Sequence, residues 1–147
     1  MSYVQANLMP NERVIVTGQV HWWFYVPGAL LTILGLLTVI ADPLGWLLLV
    51  GGLVALLKTW MSAFSTELAV TNKRVIAKFG FIRRRTVELL HANVESLNVE
   101  QGIIGRILDF GTVVINGTGG VRAPIPNIAA PLEFRRQALR AIEGGQG

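Results

Sequence analysis

Cysteine is absent from the 147-residue sequence, and this absence removes several kinds of chemistry at once. Without cysteine the chain has no disulfide framework, no thiolate nucleophile and no cysteine-ligated metal site. Histidine is nearly as scarce, since His21 and His91 are the only two. Glu88 and Glu95 lie near His91 in the sequence, but no set of residues has the spacing of metal ligands or of an acid–base pair. We therefore expect no catalytic residue, no metal and no cofactor, and a protein that is not an enzyme.

Charged residues are also few, at 15% of the chain, and the mean hydropathy is +0.51. Residues 22–41 are 20 residues without a charge, which at ~1.5 Å per residue matches the ~30 Å hydrocarbon core of a bilayer. Residues 44–64 carry one charge, Lys58, whose cost of at most about 3 kcal/mol is outweighed by the many apolar residues around it. We expect two transmembrane helices joined by a tight turn at Asp42 and Pro43. The alternative is a buried helical hairpin in a soluble core.

Basic residues are nearly missing ahead of the two apolar runs. Of the 13 Lys and Arg, only Arg13 precedes residue 22, and the turn between the runs carries Asp42 and no base. The positive-inside rule therefore predicts that both termini are cytoplasmic and that the turn lies outside. The sequence pI of about 10.1 reflects the same bias. Because no aromatic platform accompanies the bases, we expect no nucleic-acid binding.

Aromatic residues and glycines follow two further patterns within the apolar runs. Aromatic residues cluster where the first run begins and the second ends, as in the interfacial belts of membrane proteins. Glycines recur seven residues apart in each run, so each pair lies on one helix face, where it either closes the hairpin or joins protomers. The alternative is that glycine is simply common in membrane helices. The predicted interfacial anchors are Trp22, Trp23, Tyr25 and Trp60, and the predicted helix-packing residues are Gly28, Gly35, Gly45 and Gly52.

From Ser65 onward, apolar and polar residues alternate with the period of two that is typical of β-strands. The glycines at 117–120 predict a hairpin turn, and the prolines of the returning stretch favour an edge strand. Pro131 favours the start of a final helix, which Gly144 and Gly145 end. The predicted strands are 67–71, 74–79, 86–90, 94–101, 112–116 and 121–125, and the apolar stripe of the helix is Leu132, Phe134, Ala138, Leu139 and Ile142.

These patterns predict an α+β membrane protein in which five or six antiparallel strands form a small curled sheet or partly open barrel closed by a C-terminal helix. Residues 14–16 could form a short strand or lie on the membrane surface. Residues 102–110 could be one helical turn or an irregular linker. The predicted parts are an amphipathic N-terminal lead-in (1–21), a transmembrane hairpin (22–64, with spans 22–41 and 44–64), a cytoplasmic domain (65–143) and a flexible tail (144–147).

Three segments carry a family resemblance: T-N-K-R at 71–74, E-Q-G-x-x-G-R at 100–106, and F-G-T-V-V-I-N-G-T-G-G at 110–120. With them, residues 22–143 resemble the bacterial pleckstrin-homology (PH) domain family of membrane-anchored proteins, type 2. The resemblance implies a bent antiparallel β-barrel capped by a C-terminal helix, to which residues 14–16 or an irregular segment would add a strand. It also implies a membrane-anchored protein without established enzymatic activity, and oligomers of the ring-like kind expected among related bacterial PH domains. Together with the two apolar runs, it leads us to expect location in the bacterial inner membrane.

Arg83, Arg84 and Arg85 form the most concentrated charge in the chain, and they follow Lys78 across a turn at Gly80. The spacing loosely resembles that of eukaryotic PH domains, which often bind inositol phosphates with a lysine and later arginines around a strand turn. Lys78 and the three arginines are therefore the predicted contacts with anionic lipid headgroups, worth ~1 kcal/mol per base near the surface. The alternative is a solvated cytoplasmic loop.

We therefore expect a non-enzymatic, membrane-anchored assembly or scaffolding protein that forms a homo-oligomer and has membrane lipids as a partner. One alternative is a sensor of anionic lipid headgroups that uses Arg83 to Arg85. A second alternative is an accessory subunit of a membrane transporter, in which case another membrane protein is the partner.

Overall fold

The computed structural model describes residues 2–145 and divides them into two compact units. The first unit combines residues 2–21 with residues 65–145, and the second is the segment Trp22–Phe64. The N-terminal residues therefore belong to the same unit as the C-terminal half of the chain. Of the predicted tail 144–147, Gly144 is the last residue of a helix, and residues 146 and 147 lie outside the described residues.

The described part of the first unit contains seven antiparallel strands in two sheets, one of four strands in the order β1-β2-β3-β4 and one of three in the order β5-β6-β7. Among residues 2–145, one isolated bridge, between Val20 and Ile128, links the chain just after β1 to β7 of the other sheet. The predicted α+β fold is confirmed, but the sheets do not close into the predicted barrel, because a 3-10 turn at His91–Asn93 separates β4 from β5 and these strands do not pair. The strands are β1 (Val14–Gly18), β2 (Glu67–Thr71), β3 (Arg74–Phe79), β4 (Arg85–Leu90), β5 (Val94–Glu100), β6 (Phe110–Gly117) and β7 (Val121–Ala129).

Strand β1 comes from the N-terminal lead-in. It pairs antiparallel with β2, with Thr17 opposite Ala69 and Gly18 opposite Leu68, and its Val16 is buried in the core. The structure thus assigns residues 14–16 to a strand rather than to the membrane surface. This strand completes the four-stranded sheet.

The first unit also contains the helices α1 (Tyr3–Ala6), α4 (Ile103–Leu108) and α5 (Pro131–Gly144). Residues 102–110 therefore contain a short helix. In α5 the buried face recurs at the three- and four-residue spacing of a helix, which leaves the predicted core residue Leu132 outside it, 49% exposed. The buried residues of α5 are Pro131, Phe134, Ala138, Ala141 and Ile142. The last four of these pack with both sheets in one hydrophobic core around Val70, Val75, Val113, Ile115, Ile125 and Ile128.

The second unit is a helical hairpin. It begins with a 3-10 turn at Trp22–Tyr25 and continues as α2 (Val26–Thr38) and α3 (Leu44–Ser65). Helix α3 is long and apolar enough to cross a membrane, with 22 residues and a hydropathy of 1.8, whereas the segment Trp22–Thr38 falls below that length. The regular helix ends at Thr38, three residues before the end of the predicted first span, 22–41. At this end of the helix the Thr38 carbonyl accepts the N–H groups of both Ala41 and Asp42, and Pro43 disfavours a helical conformation at Asp42.

Glycines line the contact between α2 and α3. A Cβ atom at Gly35 would overlap the backbone of Leu49, and one at Gly52 would overlap the backbone of Thr32. The same holds for Gly45 against Val39, while a Cβ at Gly28 would lie 3.0 Å from the Leu56 nitrogen. Each of these four close approaches is made to the other side of the hairpin. Gly51 has nothing within 4 Å of such a Cβ position.

Candidate functional site

Each residue of the T-N-K-R segment binds the N-terminal segment of the chain. The Asn72 side chain accepts the N–H of Arg13 at 2.9 Å and donates to the Asn11 carbonyl at 3.1 Å. The Lys73 ammonium donates to the Pro10 carbonyl at 2.9 Å. Because these residues form the turn between β2 and β3, the turn also holds residues 10–13 against the end of the sheet.

A buried ion pair between Glu12 and Arg74 lies beneath this turn. Glu12 is 7% exposed and Arg74 is 6% exposed. The carboxylate accepts from Arg74 Nε at 2.9 Å, from the Thr71 hydroxyl at 2.7 Å and from the Met9 N–H at 2.7 Å. The guanidinium also pairs with Glu88 and donates to a carbonyl of the N-terminal segment at 2.7 Å. Both charged groups are therefore fully partnered, as buried charges must be.

The same contacts shift the acidity of both groups. Burial alone would raise the pKa of Glu12, but the hydrogen bonds from Arg74, Met9 and Thr71 and the charge of Arg74 lower that pKa from 4.5 to about 2. The hydrogen bond to Glu12 in turn raises the pKa of Arg74. Glu12 is thus ionised in the folded protein throughout the neutral range.

Sequence reasoning did not find this pair, although one signal for it was present. Glu12 is the only acidic residue in the first 41, and the strand β3 begins with an arginine directly before apolar residues. The pair could not be recognised from spacing, because Glu12 and Arg74 are 62 residues apart in the sequence.

Lys78, one of the predicted lipid contacts, is partly engaged by the N-terminal segment. Its ammonium lies 4.8 Å from the centre of the Tyr3 ring. The neighbouring Glu67 carboxylate accepts from the Ser2 hydroxyl and from the N–H groups of Tyr3 and Val4. Burial raises the pKa of Glu67, but these hydrogen bonds and the charge of Lys78 lower it overall. Lys78 therefore helps to dock α1 on the sheet.

The three predicted arginines lie on an exposed loop, residues 80–84, and at the first position of β4. Arg83, Arg84 and Arg85 are exposed, and none forms an ion pair within residues 2–145. Gly80 opens the loop with φ +96°, and a Cβ there would overlap the Arg83 carbonyl. No acidic residue occurs between Glu67 and Glu88, so the loop is uniformly positive.

The 80–84 loop also exposes apolar side chains beside its bases. Ile82 is 91% exposed and Phe81 is 48% exposed. Exposed bases with an apolar tip between them are suited to a surface that is anionic outside and apolar beneath, as a lipid bilayer is. Phe81 and Ile82 were not among the lipid contacts predicted from the sequence.

Strand register places this loop at one particular end of the four-stranded sheet. Glu67, two residues after the hairpin helix α3 ends, pairs with Lys78, and Phe79 pairs with Arg85. Strand β1 ends at the same end, where Gly18 pairs with Leu68 and the chain soon leaves for the hairpin. We call this the tether end: it comprises Gly18, Glu67 and the 80–84 loop. The T-N-K-R turn lies at the opposite end.

The remaining predicted residues and the histidines contribute less to a site. Among the interfacial anchors, Trp22 and Trp60 are 61% and 52% exposed, and Trp23 and Tyr25 are half-buried. Within residues 2–145 no group of three His, Asp or Glu residues could hold a metal ion. His91 is buried, and neither of its ring nitrogens has a hydrogen-bond partner among the described residues.

Comparison with known families identifies the chain. Residues 24–142 match the family described as the bacterial PH domain, so the protein belongs to that family, and the predicted resemblance is confirmed. No match was found among curated proteins or among solved structures. PH domains are generally non-catalytic binding modules, so family membership indicates a binding or scaffolding role.

Proposed function

We propose that this protein is a membrane-anchored binding or scaffolding module whose hairpin 22–64 crosses the bacterial inner membrane and whose PH-like domain is cytoplasmic. The apolar surface of the hairpin carries this proposal. Only 6% of the most apolar window of α3 is buried, and Leu47, Leu37 and Ile40 are 71%, 72% and 95% exposed. Such a surface is stable in lipid and not in water.

The length of the first helix is compatible with a span despite its early end. The segment Trp22–Thr38 contains 17 residues. This equals the lower limit for a spanning helix, which is about 17 residues. A short helix is accommodated by local bilayer thinning and by aromatic residues at its interfacial end. Trp22 and Trp23, whose ring centroids are 6.1 Å apart, are placed to serve there.

Cysteine labelling of intact cells tests this topology directly, because the chain has no cysteine of its own. A Pro43→Cys variant should react with a membrane-impermeant thiol reagent added outside, since the turn carries no base. A Glu143→Cys variant, exposed on α5, should react only after the cells are permeabilised. The reverse pattern would overturn the orientation, and reaction of neither site after permeabilisation would overturn the proposed exposure of both.

More specifically, we propose a scaffold made of several copies of this chain. The edges of the sheets indicate which strand joins the copies. Pro124 and Pro126 lack N–H groups along β7, and Arg135 Nε donates to the Leu97 carbonyl of β5 at 2.7 Å. Both edges of the three-stranded sheet are thus partly blocked. Strand β4 pairs only with β3 and ends in Leu90, which is 55% exposed. We propose that copies associate through the β4 edge, aided by their confinement in two dimensions.

Particle mass in mild detergents and in nanodiscs tests the scaffold. Leu90→Lys should reduce the particle mass, because a lysine on an edge strand opposes pairing with a second copy. Leu132→Lys, a similarly exposed leucine on α5, is the matched control and should leave the mass unchanged. A wild type that is monomeric in every medium would reject the scaffold and leave the transporter-accessory alternative as the next to test.

Contact with anionic lipid is a second candidate function, and the 80–84 loop favours it. Its exposed arginines and its apolar tip lie at the tether end, where the chain departs for and returns from the hairpin. A polarity-sensitive dye on an Ile82→Cys variant should shift to the blue when anionic lipid is added to zwitterionic nanodiscs. Replacing Arg83, Arg84 and Arg85 by Ala should abolish that shift.

The control for this experiment removes two exposed arginines elsewhere, by Arg136→Ala and Arg140→Ala on α5. That variant should keep the wild-type response, and the response should weaken as salt is raised. An equal shift in the triple-Ala variant and the wild type would reject headgroup recognition by the loop.

A further inference from the structure

Helix α4 exposes an apolar surface that neither the core nor the proposed lipid loop uses. Ile103, Ile104 and Ile107 are 81%, 58% and 77% exposed. Isoleucine is among the residues most often buried in soluble proteins, so three exposed together on one short helix form a patch that calls for a covering partner.

The backbone holds these side chains outward. Gly105 is the buried residue of α4, and a Cβ there would lie 2.5 Å from the Phe110 carbonyl. The helix therefore packs on β6 through a glycine and presents its larger residues to the outside. Asp109, in the left-handed conformation at φ 59°, ends the helix and directs the chain into β6.

The patch lies next to the point at which the chain leaves for the hairpin. The His21 ring is 5.5 Å from the Phe110 ring, two residues beyond the last residue of α4. The His21 N–H also donates to the Asn127 carbonyl at 2.9 Å, which fixes residue 21 on the three-stranded sheet. Trp22, the next residue, begins the apolar hairpin.

We infer that α4 lies in the interfacial layer of the membrane, with Ile103, Ile104 and Ile107 inserted among the lipid acyl chains and Arg106 at headgroup level. This inference rests on the proposed membrane location of the hairpin. Because the His21 ring contacts Phe110 and the hairpin begins at the next residue, α4 is joined by a short covalent connection to the segment proposed to enter the membrane, which favours lipid as the partner. The isoleucines would contact acyl chains whatever the lipid headgroup is, whereas the 80–84 loop is proposed to contact anionic headgroups.

A depth measurement on single-cysteine variants of the full chain in liposomes tests the inference. An environment-sensitive dye at Ile103→Cys or Ile107→Cys should be quenched by a lipid carrying a quencher on its acyl chain. The same dye should be protected from aqueous iodide. Val121→Cys, 36% exposed at the other end of the three-stranded sheet where β6 and β7 turn, is the control and should show the opposite pattern.

Leu47→Cys, 71% exposed on α3, separates failure of this inference from failure of the proposed function. If the lipid-borne quencher reaches Leu47 and not Ile103, the hairpin is embedded and the inference about α4 is wrong. If it reaches neither, the membrane location itself is wrong. A dye at Ile103 that is protected from both quenchers would mean that a protein surface covers α4, which also overturns the inference.

Discussion

Glutamine in place of Glu12 should destabilise the first unit strongly, although the change removes only a charge. The difference between the ordinary pKa of 4.5 and the folded pKa of about 2 corresponds to about 3 kcal/mol, at about 1.36 kcal/mol per unit. Breaking a buried ion pair by removing one partner costs about 3–5 kcal/mol. Because Arg74 keeps its contacts with Glu88 and the Asn7 carbonyl, we expect the lower end of that range, about 3 kcal/mol.

Hydrogen exchange of the full chain in nanodiscs measures this change without relying on tryptophan. All four tryptophans lie in residues 22–64, so their fluorescence reports on the hairpin rather than on the sheets. Protection of the β2 and β3 amides should fall on the order of 100-fold in Glu12→Gln, the equivalent of about 3 kcal/mol. Glu100→Gln is the matched control: its ion pair with Arg122 spans 3.4 Å with side chains 64% and 65% exposed. That variant should change protection by about 2-fold or less.

The pH dependence of exchange protection tests the contribution of Glu12 to stability in a second, independent way. Since the folded pKa of Glu12 is depressed, its contribution is complete above the unfolded value of 4.5 and is lost as pH falls toward about 2. The gap in protection between wild type and Glu12→Gln should therefore be full near neutrality and should shrink as the medium is acidified through that window. A gap that is independent of pH, or a Glu12→Gln variant as protected as Glu100→Gln, would refute the account of this pair.

Two glycine pairs give further predictions, each with its own control. Gly52→Leu should destabilise the hairpin by about 1–3 kcal/mol through overpacking against the facing helix. Gly51→Leu should not, because a Cβ at Gly51 meets nothing within 4 Å. Unfolding followed by tryptophan emission would measure the stability of both variants, and equal stabilities would refute the glycine contact. Gly80→Ala should lower the exchange protection of β3 and β4 by more than Gly119→Ala lowers that of β6 and β7. Both glycines have positive φ, of +96° and +79°, but only Gly80 also lacks room for a Cβ, and equal losses would show that conformation alone decides.

Local patterns in the sequence predicted a strand best where buried and exposed residues alternate along it. In β7 the buried residues Ala123 and Ile125 alternate with exposed Arg122 and Pro124, which is the period that sequence reasoning detects. In the same way, the buried face of α5 follows from its three- and four-residue spacing. The family itself followed from short segments such as T-N-K-R, whose contacts with the N-terminal segment give those residue types a structural reason.

Features that depend on contacts between distant segments could not be predicted. Strand β1 has a polar–apolar pattern too short to distinguish a strand from a surface segment, and only its pairing with β2 decides the matter. The open gap between β4 and β5 depends on a turn at His91–Asn93 that has no distinctive turn residues of the glycine or proline kind. The end of α2 at Thr38 is a local feature that hydropathy does not mark, because the apolar run continues unbroken to residue 41.

The path of the N-terminal segment limits where this domain can meet a partner. Its beginning is held by Glu67 at the tether end, and residues 10–13 are held by Asn72 and Lys73 at the opposite end. Between these points Val4 packs on Ala69 and Ile76, so the segment covers the outer face of the four-stranded sheet along its length. A partner that bound this face would first have to displace the segment and break the Glu12 ion pair. The β4 edge and the 80–84 loop need no such displacement, and for that reason the proposed contacts with a second copy and with lipid are assigned to those surfaces.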